Sequence, residues 1–289
     1  ITREDAIEMS AKKIKYNFQF IENKRPAPHF EDYVSSLASK ILGIPSIRNK
    51  GLKIYTTLDS EIQSIATEIT QQYYPKKDSV SLAIDDPNLI DTPKKKNLQL
   101  ALISLNPTTG AIVSMIGSSN YKKSQYNRAV RSKRQPGSLF KTILFSLALS
   151  EGSNWSDMLY ISPLSLDGDY RPRSTYDEYL KETTLLRSFY KSINAPTIEL
   201  AKSIGIDKVI THAKKMGIES HIKKEMGSIL GSSETTVLEM AKVYSVFANQ
   251  GKSVQPYAIR YILDKDDNLI YERPYIEEEV ILPPKINAL

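Results

Sequence analysis

The apolar positions of the chain follow two periods, and these divide it into helices and strands. A spacing of three and four residues predicts helices over residues 2–15, 30–42 and 59–73. Asp59 would cap the third helix, and its apolar face would consist of Ile62, Ile65, Ala66 and Ile69. Alternation typical of strands occurs over 51–57, 98–105, 111–116, 257–263 and 268–272.

The order of these segments predicts a short lead, a small sheet, a long helical block and a return to strands. The second and third strands flank Asn-Pro-Thr-Thr-Gly, and the last two flank four consecutive polar residues, so both pairs are predicted to be hairpins. Residues 75–97 are polar and contain three prolines, which indicates a surface loop. The helical block extends from Ser138 to about Gln250.

Composition excludes several kinds of site. The 289 residues are 40% hydrophobic and 25% charged, which is typical of a globular protein with a sizeable core. The absence of cysteine rules out disulfides, thiolate chemistry and cysteine-ligated metals. His29, His212 and His221 are scattered without zinc spacing, and there is neither a P-loop nor a Gly-x-Gly-x-x-Gly segment. We therefore predict no metal, cofactor or nucleotide site.

Charge and hydropathy bear on the location of the protein. A formal net charge of +6 favours anionic membranes, cell-wall polymers or nucleic acid as neighbours, or is simply a solvated excess. The longest apolar run, near 143–149, is far shorter than the roughly 20 residues that span a bilayer. The chain starts without methionine and without a signal peptide, so we expect a piece of a longer protein whose membrane anchor lies upstream.

A serine and a lysine stand at the start of the most apolar predicted helix. Residues 134–141 read Arg-Gln-Pro-Gly-Ser-Leu-Phe-Lys, and the apolar run 142–149 follows. Ser138 begins the helix, and Lys141 lies one turn later on the same face. A helix this apolar must be buried, and burial lowers the pKa of a lysine, so Lys141 could take the proton of Ser138. The alternative is a capping serine followed by a lysine that reaches back to solvent.

Neither the Ser-x-x-Lys pattern nor the Ser-x-Asn pattern is specific by itself. Ser-x-x-Lys occurs five times, at Ser10/Lys13, Ser119/Lys122, Ser138/Lys141, Ser188/Lys191 and Ser220/Lys223. Ser-x-Asn occurs three times, at Ser104/Asn106, Ser118/Asn120 and Ser192/Asn194. Only the third of each set has a suitable context, because Ser192-Ile193-Asn194 separates two helical segments after the buried helix. A loop there can present a hydroxyl and an amide into a cleft, or it can be an ordinary helix cap.

Residues 134–141 resemble the nucleophile motif of class A penicillin-binding proteins, the bifunctional cell-wall synthases. Further segments resemble the same family in the same order, and together they cover essentially the whole chain: 2–34, 51–63, 101–117, 185–194 and 229–251. The resemblance implies an α+β fold shared with β-lactamases, in which an antiparallel sheet carries a large helical subdomain. It also implies that residues 1–50 are the tail of a glycosyltransferase region and a linker, and that 51–289 form the transpeptidase domain.

The resemblance assigns a role to each candidate residue. Ser138 would be the acylated nucleophile and Lys141 its general base, Ser192 would relay a proton, and Asn194 would bind the substrate amide and hold Lys141. The Ser138 backbone N–H would be one oxyanion donor. The other would come from a strand bearing Lys-Thr-Gly, a motif that this sequence lacks. We therefore expect the chain to be truncated before that strand, without the C-terminal strands of the fold.

The implied activity is a D,D-transpeptidase that cross-links peptidoglycan stem peptides and is acylated by β-lactams. Its expected partners are stem peptides, β-lactams and cell-wall synthesis proteins, with no nucleic acid, and it would contact the membrane only through the upstream anchor. Its expected location is extracytoplasmic. Two alternatives stay open: a β-lactamase or D,D-carboxypeptidase, in which water replaces the acceptor amine, and a catalytically incomplete scaffold that lacks the third motif.

Overall fold

The structure is a computed structural model that describes residue 2 and residues 25–73, 99–160 and 182–287. The predicted helix over 2–15 and the predicted loop over 75–97 lie outside these residues, apart from Thr2. The fold is α+β, as predicted. Most of the described strands lie before residue 117 or after residue 258, and helices fill most of the part between them.

The strands in the described part of the chain form three small sheets. Strands β1 (Lys53–Thr56), β6 (Ile259–Leu263) and β7 (Leu269–Glu272) form an antiparallel sheet with β6 in the centre. Strands β2 (Leu102–Leu105) and β3 (Ile112–Ile116) form the predicted hairpin. The backbones of Ile112 and Tyr257 join these two sheets through an N–H···O bond of 2.9 Å. A third pair, β4 (Met158–Tyr160) with β5 (Glu182–Thr184), has three residues in each strand and was not predicted.

The helices follow the predicted order closely. The described chain contains α1 (Pro28–Ile41), α2 (Ser60–Tyr73), α3 (Arg128–Arg131), α4 (Lys141–Ser150), α5 (Leu185–Tyr190), α6 (Asn194–Ile204), α7 (Ile206–Met216), α8 (Met226–Ile229), α9 (Val237–Ala248) and α10 (Pro284–Asn287). A 3₁₀ turn, Gly137–Phe140, leads directly into α4. No helix among the residues that the structure describes is long and apolar enough to cross a bilayer.

The apolar face predicted for α2 is wrong in its orientation. Ile62, Ile65 and Ile69 are 41–50% exposed, whereas Gln63 is 3% exposed and faces the protein. Its Oε1 accepts hydrogen bonds from Ser114 Oγ at 3.0 Å and from the Met115 N–H at 2.9 Å. These bonds satisfy a side chain that would otherwise be costly to bury, and they turn α2 so that only Ala66 of the predicted face is covered.

Two apolar cores hold these elements together. One joins α1, β3 and β6, with Phe30, Ile112 and Ile262 at its centre. The other surrounds α4, whose Ile143, Leu144, Phe145 and Ala148 are at most 1% exposed. The prediction that this helix is buried is confirmed, and the 3₁₀ turn is therefore fixed to the interior at its C-terminal end.

Candidate active site

The 3₁₀ turn presents Ser138 at the surface. Gly137 has φ +57°, a left-handed conformation that glycine adopts without strain, and this bends the chain into the turn. Ser138 is exposed, while Phe140, two residues later, is fully buried. Because Ser138 is the second residue of the turn, its backbone N–H precedes the first hydrogen bond within it. The hydroxyl and this N–H are thus both placed at the open end of a buried helix.

Lys141 is the first residue of α4 and its side chain is only 2% exposed, so the predicted burial of this lysine is confirmed. Nζ donates to the Ser192 carbonyl oxygen at 2.6 Å, to Ser192 Oγ at 3.0 Å and to Asn194 Oδ1 at 2.6 Å. An ammonium group is a donor of N–H bonds only, so all of these oxygens are suitable partners for it. The predicted alternative, a lysine that reaches back to solvent, is excluded.

The loop between α5 and α6 adopts an unusual backbone to supply these acceptors. Ser192 has φ +55°, although it is not a glycine. Its N–H donates to the Phe189 carbonyl at 2.9 Å, and the N–H of Ile193 donates to the Ser188 carbonyl at 3.0 Å, so the end of α5 fixes the loop. A strained residue held by its surroundings is typical of functional sites. The sequence indicated the hydroxyl and the amide here, but not the carbonyl contact.

The other Ser-x-x-Lys pairs that the structure describes do not share this arrangement. Lys122, Lys191 and Lys223 are exposed, and Ser10 lies outside the described residues. Ser188 is fully buried, and the hydroxyl of Ser220 donates to Glu239 Oε2 at 3.0 Å. The structure thus brings Ser192 and Asn194 into contact with Lys141 Nζ and places Ser138 on the 3₁₀ turn that leads into the helix of Lys141.

A family model agrees with this arrangement. The model of the penicillin-binding protein transpeptidase domain matches residues 100–283, which is more than half of the chain. The chain belongs to this family. Penicillin-binding transpeptidases are acyltransferases of the serine type, and the matched range contains Ser138, Lys141, Ser192 and Asn194.

Curated relatives include bacterial penicillin-binding proteins. Penicillin-binding protein 1A of Pseudomonas aeruginosa is 35% identical over 192 residues, which cover 63% of this chain and 23% of that protein. Penicillin-binding protein 2D of Bacillus subtilis is 28% identical over 268 residues, or 90% of this chain and 36% of that protein. The chain thus spans about a quarter to a third of the length of these relatives.

Solved structures of the family share the fold. The penicillin-binding protein PonA1 from Mycobacterium tuberculosis has a TM-score of 0.73 at 20% identity, covering 91% of this chain and 68% of that one. Penicillin-binding protein 1A from Haemophilus influenzae has a TM-score of 0.69 at 21% identity, covering 94% and 53%. The fold predicted from the resemblance, that of the penicillin-binding transpeptidases, is therefore confirmed.

Sequence reasoning missed two contacts on the other side of the 3₁₀ turn. The Gly137 N–H donates to the Gly231 carbonyl at 3.2 Å. Tyr244 Oη donates to the Leu139 carbonyl at 3.3 Å and lies 3.1 Å from Thr142 Oγ1. Both residues come from segment 229–251, which resembled the transpeptidase family but carries no chemical motif of its own.

Proposed function

We propose that this chain is the transpeptidase part of a class A penicillin-binding protein, and that it cross-links peptidoglycan stem peptides through an acyl-enzyme on Ser138. The observation that carries the proposal is the contact of Lys141 Nζ with both Ser192 and Asn194, at the start of the helix that Ser138 begins. A nucleophile, a buried lysine and an ordered set of polar groups around that lysine are the parts that covalent acyl transfer requires.

In the proposed acylation step, Ser138 Oγ attacks the carbonyl carbon of the D-Ala-D-Ala peptide bond as its proton passes to Lys141. The three oxygens around Nζ complement the ammonium that results, so they stabilise the product of proton transfer. The Ser138 N–H donates to the carbonyl oxygen as it becomes negative. Breaking the C–N bond releases D-alanine, whose nitrogen receives its proton through the Ser192 hydroxyl.

Deacylation reverses these roles. An amine of a neighbouring stem peptide attacks the ester carbonyl, its proton leaves through Ser192 and Lys141, and the new amide bond frees the Ser138 hydroxyl. Asn194 would bind the donor amide and, through its Oδ1, hold Lys141 in place. Whether water or an amine arrives depends on the acceptor side of the cleft, so these four residues alone are compatible with a transpeptidase, a carboxypeptidase or a β-lactamase.

β-Lactams are proposed to acylate the same serine. Penicillin-binding protein A from M. tuberculosis, described as a penicillin G acyl-enzyme complex, shares the fold of this chain at a TM-score of 0.65 and 21% identity. A β-lactam carbonyl presents the same electrophile as the D-Ala-D-Ala peptide bond. Since its leaving group stays tethered in the ring-opened product, the adduct would be long-lived.

The remaining expectations concern the whole protein. We propose that residues 1–50 link a glycosyltransferase region to a transpeptidase domain over 51–289, and that the domain works outside the cytoplasmic membrane. Similarity to relatives called penicillin-binding protein 1A supports this organisation. The second oxyanion donor would lie on a Lys-Thr-Gly strand of the full-length protein.

The test is turnover of a stem-peptide donor ending in D-Ala-D-Ala, with an added amine acceptor, by the full-length protein. Transpeptidase activity gives a cross-linked product and free D-alanine, both abolished by Ser138→Ala and retained by Ser119→Ala, which alters a serine with the same spacing to a lysine. Release of D-alanine without cross-linking indicates a carboxypeptidase, and rapid nitrocefin turnover a β-lactamase. If the unsubstituted full-length protein catalyses none of these reactions, the result supports the scaffold alternative and contradicts the proposal.

A further inference from the structure

The 3₁₀ turn that carries Ser138 is held along one side by a segment much later in the chain. Ahead of the turn, the backbone N–H and carbonyl of Arg134 pair with those of Thr235, both at 2.9 Å. At its start, the Gly137 N–H donates to the Gly231 carbonyl. At its end, Tyr244 donates to the Leu139 carbonyl. The chain on both sides of Ser138 is thus in contact with segment 231–244.

Gly231 approaches the turn more closely than any residue with a side chain could. A Cβ added to Gly231 would lie 2.1 Å from the Gly137 carbonyl oxygen, 2.5 Å from its nitrogen and 2.6 Å from its carbonyl carbon. These are backbone atoms, which cannot rotate away as the end of a flexible side chain can. Gly231 also has φ +83°, so both the available space and the backbone conformation require glycine there.

The atoms that Gly231 touches determine the direction of the Ser138 N–H. The carbonyl of Gly137 and the N–H of Ser138 belong to one peptide group, which is planar. A displacement of the Gly137 oxygen therefore rotates the Ser138 N–H with it. This N–H is the proposed oxyanion donor, and the stabilisation that such a donor provides depends on its being aimed before the reaction begins.

Tyr244 holds the peptide group between Leu139 and Phe140, one residue beyond Ser138, by a hydrogen bond. Its hydroxyl donates to the Leu139 carbonyl and accepts from Thr142 Oγ1, on the first turn of α4. Tyr244 is itself held by α9, whose Val243 and Val246 are fully buried. The capping box of Thr236 and Glu239 fixes the start of that helix. A rigid helix thus holds the C-terminal side of Ser138, while Gly231 holds the N-terminal side.

We propose that Gly231 and Tyr244 are positioning residues for acylation: Gly231 holds the peptide group before Ser138 and Tyr244 holds the carbonyl of the residue after it, so that the N–H and hydroxyl of Ser138 point to the same reacting carbonyl. The inference rests on the proposed function of Ser138 as the acylated nucleophile. Neither residue touches the substrate in this account. Their loss should therefore slow the chemical step and leave the initial non-covalent binding of a β-lactam intact.

The test compares Gly231→Ala with Gly152→Ala in the full-length protein. Gly152 also has positive φ, +103°, but a Cβ there meets no atom within 4 Å, so this control reproduces the backbone strain without the collision. Stopped-flow acylation by a fluorescent penicillin separates the dissociation constant of the first complex from the acylation rate constant. We expect Gly231→Ala to lower the rate constant about 100-fold with little change in the dissociation constant. Gly152→Ala should match the parent in both.

A second variant keeps the proposal testable if Gly231→Ala does not fold. Tyr244→Phe removes one hydroxyl from a side chain that is 37% exposed, and Tyr271→Phe on β7 is its matched control. We expect Tyr244→Phe to slow acylation about tenfold, because it removes the hydrogen bond that orients the turn of Ser138. The melting temperature should be unchanged, because the aromatic ring keeps its packing.

Three outcomes contradict the inference in different ways. If Tyr244→Phe and a folded Gly231→Ala are acylated at the parental rate, Gly231 and Tyr244 are not positioning residues, and the proposed function stands. If either variant changes only the dissociation constant, the residue shapes the cleft rather than the turn. If the parent protein itself takes up no penicillin, the proposed function fails and the inference falls with it.

Discussion

At the scale of single residues, Ser192 contributes two oxygens that accept hydrogen bonds from Lys141 Nζ. Its hydroxyl is one, and its backbone carbonyl is the other. The carbonyl reaches Nζ while the residue adopts a left-handed conformation, which costs an L-residue roughly 1–2 kcal/mol. The hydroxyl and the strained backbone therefore make separate contributions, and substitution can separate them.

Replacing Ser192 by alanine and by glycine should have the same effect on acylation but different effects on stability. Both changes remove the hydroxyl, so we expect both to slow penicillin acylation by about 10²-fold or more. Glycine relieves the left-handed strain that alanine retains, so the glycine variant should be about 1 kcal/mol more stable to unfolding than the alanine variant. Acylation kinetics and thermal denaturation measure the two effects. Equal stabilities would show that the backbone here is unstrained.

The sequence predicted the members of this site but not all of their contacts. The spacing of Ser138 and Lys141 and the apolar run after them indicated a buried lysine, and the structure contains one. The contribution of the Ser192 carbonyl depends on one dihedral angle, and no residue preference predicts a positive φ for serine. Gly231 and Tyr244 were also missed as contacts, because their roles arise only from tertiary packing.

At the scale of elements, Ser188 is a buried polar residue on α5 whose burial is not compensated within the described part of the chain. Its side chain is fully buried, and its hydroxyl has no hydrogen-bond partner among the described residues. A buried polar group without a partner destabilises the folded state relative to an apolar group of the same shape. Ser188 contributes its backbone carbonyl to the loop before α6, but its hydroxyl contacts no residue of the site among those described.

Ser188→Ala is expected to raise the free energy of unfolding by about 1 kcal/mol. Ser146→Ala is the matched control on α4, because that buried hydroxyl donates to the Ile143 carbonyl at 2.9 Å and lies 3.1 Å from His212 Nε2. Its loss should lower stability by a similar amount. Denaturant titration measures both changes. A destabilised Ser188→Ala protein would indicate a partner for the hydroxyl that the described residues do not include.

The spacing of apolar residues predicted the positions of helices and strands better than it predicted which side of each one is buried. The helix over 59–73 and both hairpins were located within a few residues of their observed ends. The orientation of α2 was wrong because two hydrogen bonds bury Gln63, and these outweigh the burial of three isoleucines. The β4–β5 pair was missed because strands of three residues are too short to show alternation.

At the scale of the whole molecule, the packing of α7 against α4 makes stability depend on pH. His212 is 7% exposed, and its Nε2 lies 3.1 Å from Ser146 Oγ. The pKa of His212 is lowered from 6.5 to about 4, mainly by burial. The positive charge of Lys215 also lowers this pKa, and its effect is larger than the opposite effect of Glu151. Between pH 6.5 and 4, His212 is therefore protonated in the unfolded chain and neutral in the folded chain. The free energy of unfolding falls as the pH drops through this range.

The parent protein should lose about 2 kcal/mol of stability through His212 between pH 7.5 and pH 5. His212→Gln keeps an N–H donor for Ser146 but cannot be protonated, so its stability should fall less over the same interval. Glu239 and Asp32 also have lowered pKa values, and they contribute equally in both proteins. Denaturation curves at the two pH values give the difference. Parallel losses in parent and variant would show that His212 is not buried in its neutral form.

The arrangement of the whole chain explains why the site required a structure. Ser138 and Lys141 are close in sequence, but Ser192 comes from the loop before α6, Asn194 from the first position of α6, and Gly231 and Tyr244 from a later segment. All three parts meet at the first turn of α4, which is the best-buried helix of the larger core. Local patterns predicted each part separately, and only the packing around α4 brings them together.

The most direct test of the account is to locate a penicillin adduct in the full-length protein by tryptic digestion and mass spectrometry. Trypsin cuts after Arg134 and Lys141, and the peptide between these cuts, residues 135–141, has Ser138 as its only hydroxyl residue. The account predicts that this peptide carries the adduct and that Ser138→Ala abolishes it. An adduct confined to another peptide, or a full-length protein that takes up no penicillin, would contradict the role of Ser138 as the nucleophile.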